Sequence, residues 1–200
     1  MTTVWVLRSL LKAFLLFVSD DLLRPAMMGL HFDVSKKSCP VVVATTGEVM
    51  AVMEVKQDEV AGGDSFTVPL DILKDLARGK ASEMDDRIEF EYDGKTLCTV
   101  RTFKGYNRTF EVVDESYPAW RQVLDIGELS GDAAQYKPDN LMRFQKAKNI
   151  LSGSWGNIYV GHNGKSAAIV SIGLGEFFGV IMPFALNGEL IHKTAPDYAK

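Results

Sequence analysis

Cysteine and histidine are scarce in this chain, with two cysteines and three histidines in 200 residues. Cys39 and Cys98 form no CxxC pair, and His31, His162 and His192 have no cysteine or carboxylate at ligand spacing. A zinc centre and a disulfide scaffold are thereby excluded, and the two thiols read as reduced, packed residues of a cytoplasmic protein. His162 reads as a turn-flanking residue. Proline is also sparse and dispersed, so no proline-rich tract interrupts the body. No apolar run reaches the ~20 residues of a membrane span. The stretch Val4 to Val18 is broken by Arg8 and Lys12 and is followed by no small-residue cleavage site, so it reads as an amphipathic core helix rather than a targeting segment. Positive charge is in deficit, 22 Lys and Arg against 26 Asp and Glu for a net charge of −4. That excludes a wholly basic protein that coats nucleic acid, but leaves open where the charges sit.

Catalytic sets are missing as well. Ser152-Gly153-Ser154 and Gly173-x-Gly175 resemble fragments of phosphate loops, yet neither continues to the lysine or third glycine that such a loop needs. Glu83, Asp85 and Asp86 could be read as a nuclease's metal-binding acids, but a charged loop between helix and strand is the commoner cause. No nucleophile, base and oxyanion donor assemble from spacing, so neither an enzyme nor a metal or other cofactor is expected.

What the chain does contain is a repeat. Pro69-x-x-Ile72-Leu73-Lys74 is followed by Ile88-x-Phe90-x-Tyr92-Asp93-Gly94-Lys95, and roughly seventy residues on Pro138-x-x-Leu141-Met142-Arg143 is followed by Ile158-x-Val160-x-His162-Asn163-Gly164-Lys165. Each copy reads as a helix feeding a hairpin, with proline in the first helical turn and Asp-Gly or Asn-Gly supplying positive φ. A looser copy lies upstream, in the helix over Val4 to Val18 and the strands Met27 to Val34, Val41 to Ala44 and Val49 to Val55. A linker over Asp58 to Ser65 closes that unit. The second unit runs through Phe66-Thr67-Val68, the Pro69 to Gly79 helix and strands at Arg87 to Tyr92, Lys95 to Phe103 and Thr109 to Val113. A connecting segment over Glu115 to Gly131 leads to the Lys137 to Leu151 helix and strands at Asn157 to His162, Lys165 to Ile172 and Phe177 to Phe184. Helix then strands, three times over, predicts an α+β protein with mainly antiparallel sheets.

Charge divides unevenly between these elements. Counted over 4–18, 69–80 (with Lys80) and 137–151, the three predicted helices carry two, one and three net positive charges, so the remaining residues carry −10. If the helices line one surface, that surface attracts phosphates while the sheets repel them. Lys and Arg are also good helix formers on solvated faces, and charge alone does not decide between the two readings.

Four short motifs carry a resemblance. Leu22-Leu23-Arg24-Pro25-Ala26-Met27-Met28-Gly29-Leu30, Val43-Ala44-Thr45-Thr46-Gly47-Glu48-Val49-Met50-Ala51, Tyr117-Pro118-Ala119-Trp120-Arg121-Gln122-Val123-Leu124 and Val180-Ile181-Met182-Pro183-Phe184 stand in the order and approximate spacing of the bacterial DNA polymerase III beta subunit, the sliding-clamp family. The resemblance implies a DNA-clamp architecture of about one and a half clamp domains. Residues 1–124 are similar to the clamp's middle domain, 125–131 to a linker and 132–186 to the closing half of its last domain, with 187–200 a tail. It implies a non-enzymatic replication factor that needs no cofactor and no membrane, and that contacts duplex DNA non-specifically through Arg8, Lys12, Lys74, Arg78, Arg143, Lys146 and Lys148. Polymerases or repair proteins would insert a peptide into a hydrophobic cleft formed by Met27, Thr45, Gly47, Val49, Met50, Pro118, Val123, Val180 and Met182. Flexible methionines suit a pocket that accepts several sequences, although Met and Val in strands are more often core. Where the family has Thr-Asp-Gly-His-Arg-Leu this chain has Thr45-Thr46-Gly47-Glu48-Val49-Met50, and Gln122 stands where an arginine is common, so an altered peptide preference follows. Three units per chain also differ from the family's two-chain ring of twelve; four chains would supply twelve, making a homo-oligomer the expectation. The rival reading is a peptide-binding adaptor or decoy that competes with a host clamp without encircling DNA.

Overall fold

The computed structural model describes residues 1–36, 38–78, 83 and 86–184. Gly79, Lys80, Asp85, His192 and the tail 187–200, all part of the expectations above, lie outside the described residues. Strand β1 is Thr2–Leu7 and helix α1 is Arg8–Phe14, which corrects the helix expected from Val4. In β1 Thr2, Val4 and Val6 are buried while Thr3, Trp5 and Leu7 are more exposed, a period of two. Its β-branched and aromatic residues favour extended backbone, and helical spacing begins only with Leu10, Leu11 and Phe14. Strands β2 (Gly29–Asp33), β3 (Val41–Thr45) and β4 (Val49–Glu54) complete the first unit. The expected linker contains a short strand, β5 (Val60–Ala61).

The second unit is β6 (Phe66–Pro69), α2 (Leu70–Ala77), β7 (Arg87–Tyr92), β8 (Leu97–Thr102) and β9 (Asn107–Glu111). Pro69 caps α2 rather than occupying its first turn, whereas Pro138 does begin its helix. The third unit is α3 (Pro138–Ser152), β10 (Tyr159–Gly161), β11 (Ala168–Ser171) and β12 (Phe177–Ile181). In the hairpin turns only the glycines have positive φ, +85° at Gly94 and +57° at Gly164. Asp93 instead accepts hydrogen bonds from the N–H groups of Lys95, Thr96 and Leu97, an Asx arrangement that holds the loop between β7 and β8.

Among the described residues all strand pairs are antiparallel, in two sheets. One has the order β5-β1-β7-β8-β9 and the other β10-β11-β12-β4-β3-β2-β6. The first two units exchange opening strands, β1 pairing with β7 and β6 with β2. The third unit joins the first through β12 and β4, from Phe177↔Met53 to Ile181↔Val49. Helix α1 packs against both α2 and α3, and a continuous core fills the space between helices and sheets.

An aromatic cluster fastens α3 onto this core. Phe17 and Phe144 are 4.9 Å apart, Phe144 meets Phe177 edge-on at 6.4 Å, and Phe14 lies 6.2 Å from Phe177. Beneath the Phe144 ring sits Gly179, where a Cβ would come within 2.5 Å of Phe144 Cε1. Because Phe144 is fully buried, Phe144→Ala should destabilise the fold by about 3–5 kcal/mol, measured by denaturant unfolding.

Candidate functional site

Alternation along the central strands sorts the residues expected in the cleft. Val41 and Val43 of β3, Met50 and Val52 of β4 and Val180 of β12 share a second apolar cluster, on the sheet face away from the helices. Val49 and Ile181 belong to the main core instead. Val49 is therefore not a cleft residue; it follows the strand's period of two to the inner face. Met50 and Val180 face each other across β4 and β12, and Thr45 pairs with Met50 across β3 and β4.

The connecting segment covers this outer face. Trp120 belongs to the cluster, with Tyr117, Leu124 and Ile126 packed against it. Val123 and Pro118 belong to the same segment, and Val123 is 43% exposed. Buried Asp33 secures the segment. Trp120 Nε1 donates to Asp33 Oδ2 at 3.0 Å, Ser35 Oγ donates to Oδ1 at 2.6 Å, and Arg121 forms an ion pair with Oδ2. The Arg121 guanidinium lies 4.3 Å from the centre of the Trp120 ring. Burial alone would raise the Asp33 pKa, but the hydrogen bonds from Ser35, Arg121 and Trp120 outweigh it and hold the carboxyl below its usual 3.8. Tyr117 stacks on His31 at 4.4 Å, and His31 Nδ1 is 2.9 Å from Thr67 Oγ1. Burial depresses His31 from 6.5 to about 4 and pushes the Tyr117 hydroxyl upward.

At the rim, Met182 N–H donates to the Glu48 carbonyl at 2.8 Å. The Glu48 carboxylate accepts from Lys137 and from Asn140 Nδ2 at 3.0 Å, so the β3–β4 turn is tied to the start of α3. These bonds, Lys137 foremost, hold the Glu48 carboxyl below its usual range. Gly47 has φ +87°, and a Cβ there would meet the Arg24 guanidinium at 2.7 Å and Met27 Cε at 3.5 Å. Met27 is buried, whereas Met182 is 41% exposed. Met27, Thr45, Gly47, Met50, Val180 and Met182 therefore gather around the junction of β4 with β12. Asp33, Glu48, Lys137 and Asn140 were missed as site residues by sequence reading. The Glu48 departure was the one signal among them; nothing in a lone aspartate at a strand end foretells that it will grip a tryptophan far along the chain.

The basic residues are less uniform than the charge count implied. Arg8 is only 7% exposed; its guanidinium donates to the carbonyls of Leu76 and Arg78 and faces Asp86 at 3.6 Å. It is a structural residue, because the end of short α2 leaves carbonyls that need donors. Arg143 donates to the Leu16 carbonyl and Lys148 to that of Asn157, while Arg78 pairs with Asp75 at 3.3 Å. Lys12, Lys74 and Lys146 form no ion pair among the described residues. Between α2 and α3 lies a polar cavity of about 600 Å³, lined by Asp20, Asp21, Arg24, Lys74, Asn140 and Arg143 among others. The charged loop is internally engaged, with Lys104 bound to Glu83 and Asp86. Cys98 is buried, its thiol pushed up to about 12 by burial, but Cys39 is exposed rather than packed. Among the described residues there is no group of His, Cys, Asp and Glu that could hold a metal ion, and no helix long and apolar enough to cross a membrane.

No protein-family model and no curated protein matches the chain. Solved structures do. The DNA polymerase III beta subunit of Borrelia burgdorferi, in complex with a natural product, superposes with a TM-score of 0.67 at 13% identity, over 92% of this chain and 64% of that one. A putative beta subunit from Eubacterium rectale gives 0.70 at 11% identity, over 93% and 66%. The Helicobacter pylori beta clamp bound to a DNA ligase peptide gives 0.62 at 12% identity, over 92% and 66%. The chain thus has the α+β fold of the bacterial sliding clamps and spans about two thirds of their length.

Stability should depend on His31. A histidine whose folded pKa is depressed stabilises the fold above its unfolded value of 6.5, and that contribution is lost as pH falls through about 4. The loss should amount to roughly 3 kcal/mol. Unfolding measured at pH 7 and at pH 4 should show this decline in the native sequence and a smaller one in His31→Gln.

Proposed function

We propose that this chain is a sliding-clamp-type processivity factor, non-enzymatic and cytoplasmic, which recruits peptide-bearing replication or repair proteins to duplex DNA. The observation that carries the reading is the β4–β12 junction. It gathers Thr45, Gly47, Met50, Val180 and Met182 beside a connecting segment that leaves Val123 exposed. An extended peptide with one or two apolar side chains fits such a groove, because the methionines adapt to different shapes. In this reading residues 1–124 are one clamp domain, 132–186 half of a second, and 125–131 their linker. The clamp fold, shared with a protein that binds a ligase peptide, supports the same assignment.

Lys12, Lys74 and Lys146 carry the DNA contact, with Arg78, Arg143 and Lys148 contributing what their protein partners leave free. The contacts go to phosphates, so binding is independent of sequence and weakens with salt. Replacing the three unpaired lysines with alanine should weaken retention on duplex DNA evenly across sequences and lower the salt slope by about one per lysine. Retention that ignores both salt and these substitutions would remove the DNA contact and leave an adaptor.

Met182→Asp tests the cleft. A carboxylate in an apolar groove loses water without gaining a partner, so affinity for a ligase-type clamp-binding peptide, read by calorimetry, should fall at least about tenfold. The thermal midpoint should move little, since the side chain is 41% exposed. Unchanged affinity would show that the groove is not the binding site.

A further inference from the structure

The groove lies at one end of the junction between β4 and β12, and at the other end lies a separate cavity of about 710 Å³. Its lining comes from the end of β1 and the start of α1, the residues that close β4, the last turn of α3 and the turn that leads into β12. No lining residue is shared with the groove or with the basic helices' DNA set. The walls are apolar: Leu10 and Val55 are buried in the main core, and Leu151 and Leu174 pack against it. Leu7, where β1 ends, is left 40% exposed. Small-molecule sites usually measure about 300–1,000 Å³ and combine such walls with a few polar groups.

The polar groups here are of two kinds. Ser9 is only 8% exposed and lines the cavity, yet its hydroxyl has no hydrogen-bond partner among the described residues. A buried hydroxyl is costly unless something beside it bonds to it. The other kind is carboxylate. Glu54 N–H donates to the Glu176 carbonyl at 3.0 Å, which sets these two residues of the lining opposite each other where β4 and β12 meet. Like charges so placed repel. Neither has an ion pair among the described residues, although the fold does pair other facing acids, as Arg101 does Glu89 and Glu91. A third carboxylate, Glu59, is shared with Arg87 at 2.8 Å, and Lys56 is the one basic residue of the lining. The excess of negative charge repels anionic amphiphiles such as fatty acids and attracts cations.

We propose that this cavity binds a small organic amine, with its apolar body against Leu10, Val55, Leu151 and Leu174, its ammonium group at Glu54 and Glu176, and a hydrogen-bonding group at its buried end meeting Ser9. Binding there is independent of the clamp reading. It would fasten the first unit to the third from the side opposite the groove, so the folded state gains stability with ligand concentration.

The experiment titrates the full chain by calorimetry, and by thermal midpoint, with n-octylamine, n-butylamine, octanoate and 8-amino-1-octanol. The amines are ammonium ions at pH 7, as a lysine side chain is. Octylamine should bind one to one and raise the midpoint, and affinity should grow by up to about fourfold per methylene from butyl to octyl. Octanoate, of equal length and opposite charge, should bind at least about tenfold more weakly, by a margin that shrinks with salt. Leu174→Trp, which fills the cavity, should abolish octylamine binding, and Glu176→Lys should erase the preference for the cation. Ser9→Ala should weaken 8-amino-1-octanol about fivefold and leave octylamine unchanged. Absence of octylamine binding overturns the proposal, as does binding that Leu174→Trp leaves intact, or octanoate bound as tightly as the amine. Equal effects of Ser9→Ala on the two amines overturn the role given to its hydroxyl.

Discussion

Backbone pairing between β4 and β12 is the constraint on which the rest of the molecule depends. It joins the third unit to the first and merges their strands into one sheet. It also brings α3 beside α1. The pairing has little freedom, because both strands are buried on both faces and differ in what each face needs. A slip of one residue would turn Val180 toward the helices and Ile181 toward the connecting segment, exchanging the two apolar clusters. The site is thus a by-product of how two units are joined rather than a feature of either one.

Charge serves two purposes here. Some basic side chains close the ends of helices, where the last carbonyls have no partners of their own; Arg8 does this for α2, and Arg143 reaches the Leu16 carbonyl beyond α1. Others remain in water. On the opposite side of the sheet, Asp33 shows the reverse economy. A carboxylate would be costly there alone, but donors from three residues converge on it and turn the cost into a fastening for the connecting segment.

Much of the architecture was legible because the repeat was legible. Strands β7 and β8 came through within a residue or two, and α3 with them, since local alternation and turn residues agreed with the tertiary fold. The opening segment misled because an apolar strand runs directly into an apolar helix, and Thr2–Leu7 has no glycine or proline to mark where one period gives way to the other. The site was legible by type but not by orientation. Val49 and Met50 are equally apolar, and only the pairing register says which one faces outward. The ties made by Glu48 and Asp33 join residues far apart in the chain, which no spacing rule reaches.

The absence of a side chain at Gly179 has a consequence at the other end of its strand. The Phe144 ring occupies the space that a Cβ would take, so β12 carries a notch into which α3 fits. Were the strand to shift by two residues, Phe177 or Ile181 would arrive under that ring, where neither has room. The helix therefore counts residues for the sheet, and the short stretch from Gly179 to Met182 works as a ruler that fixes where the groove ends.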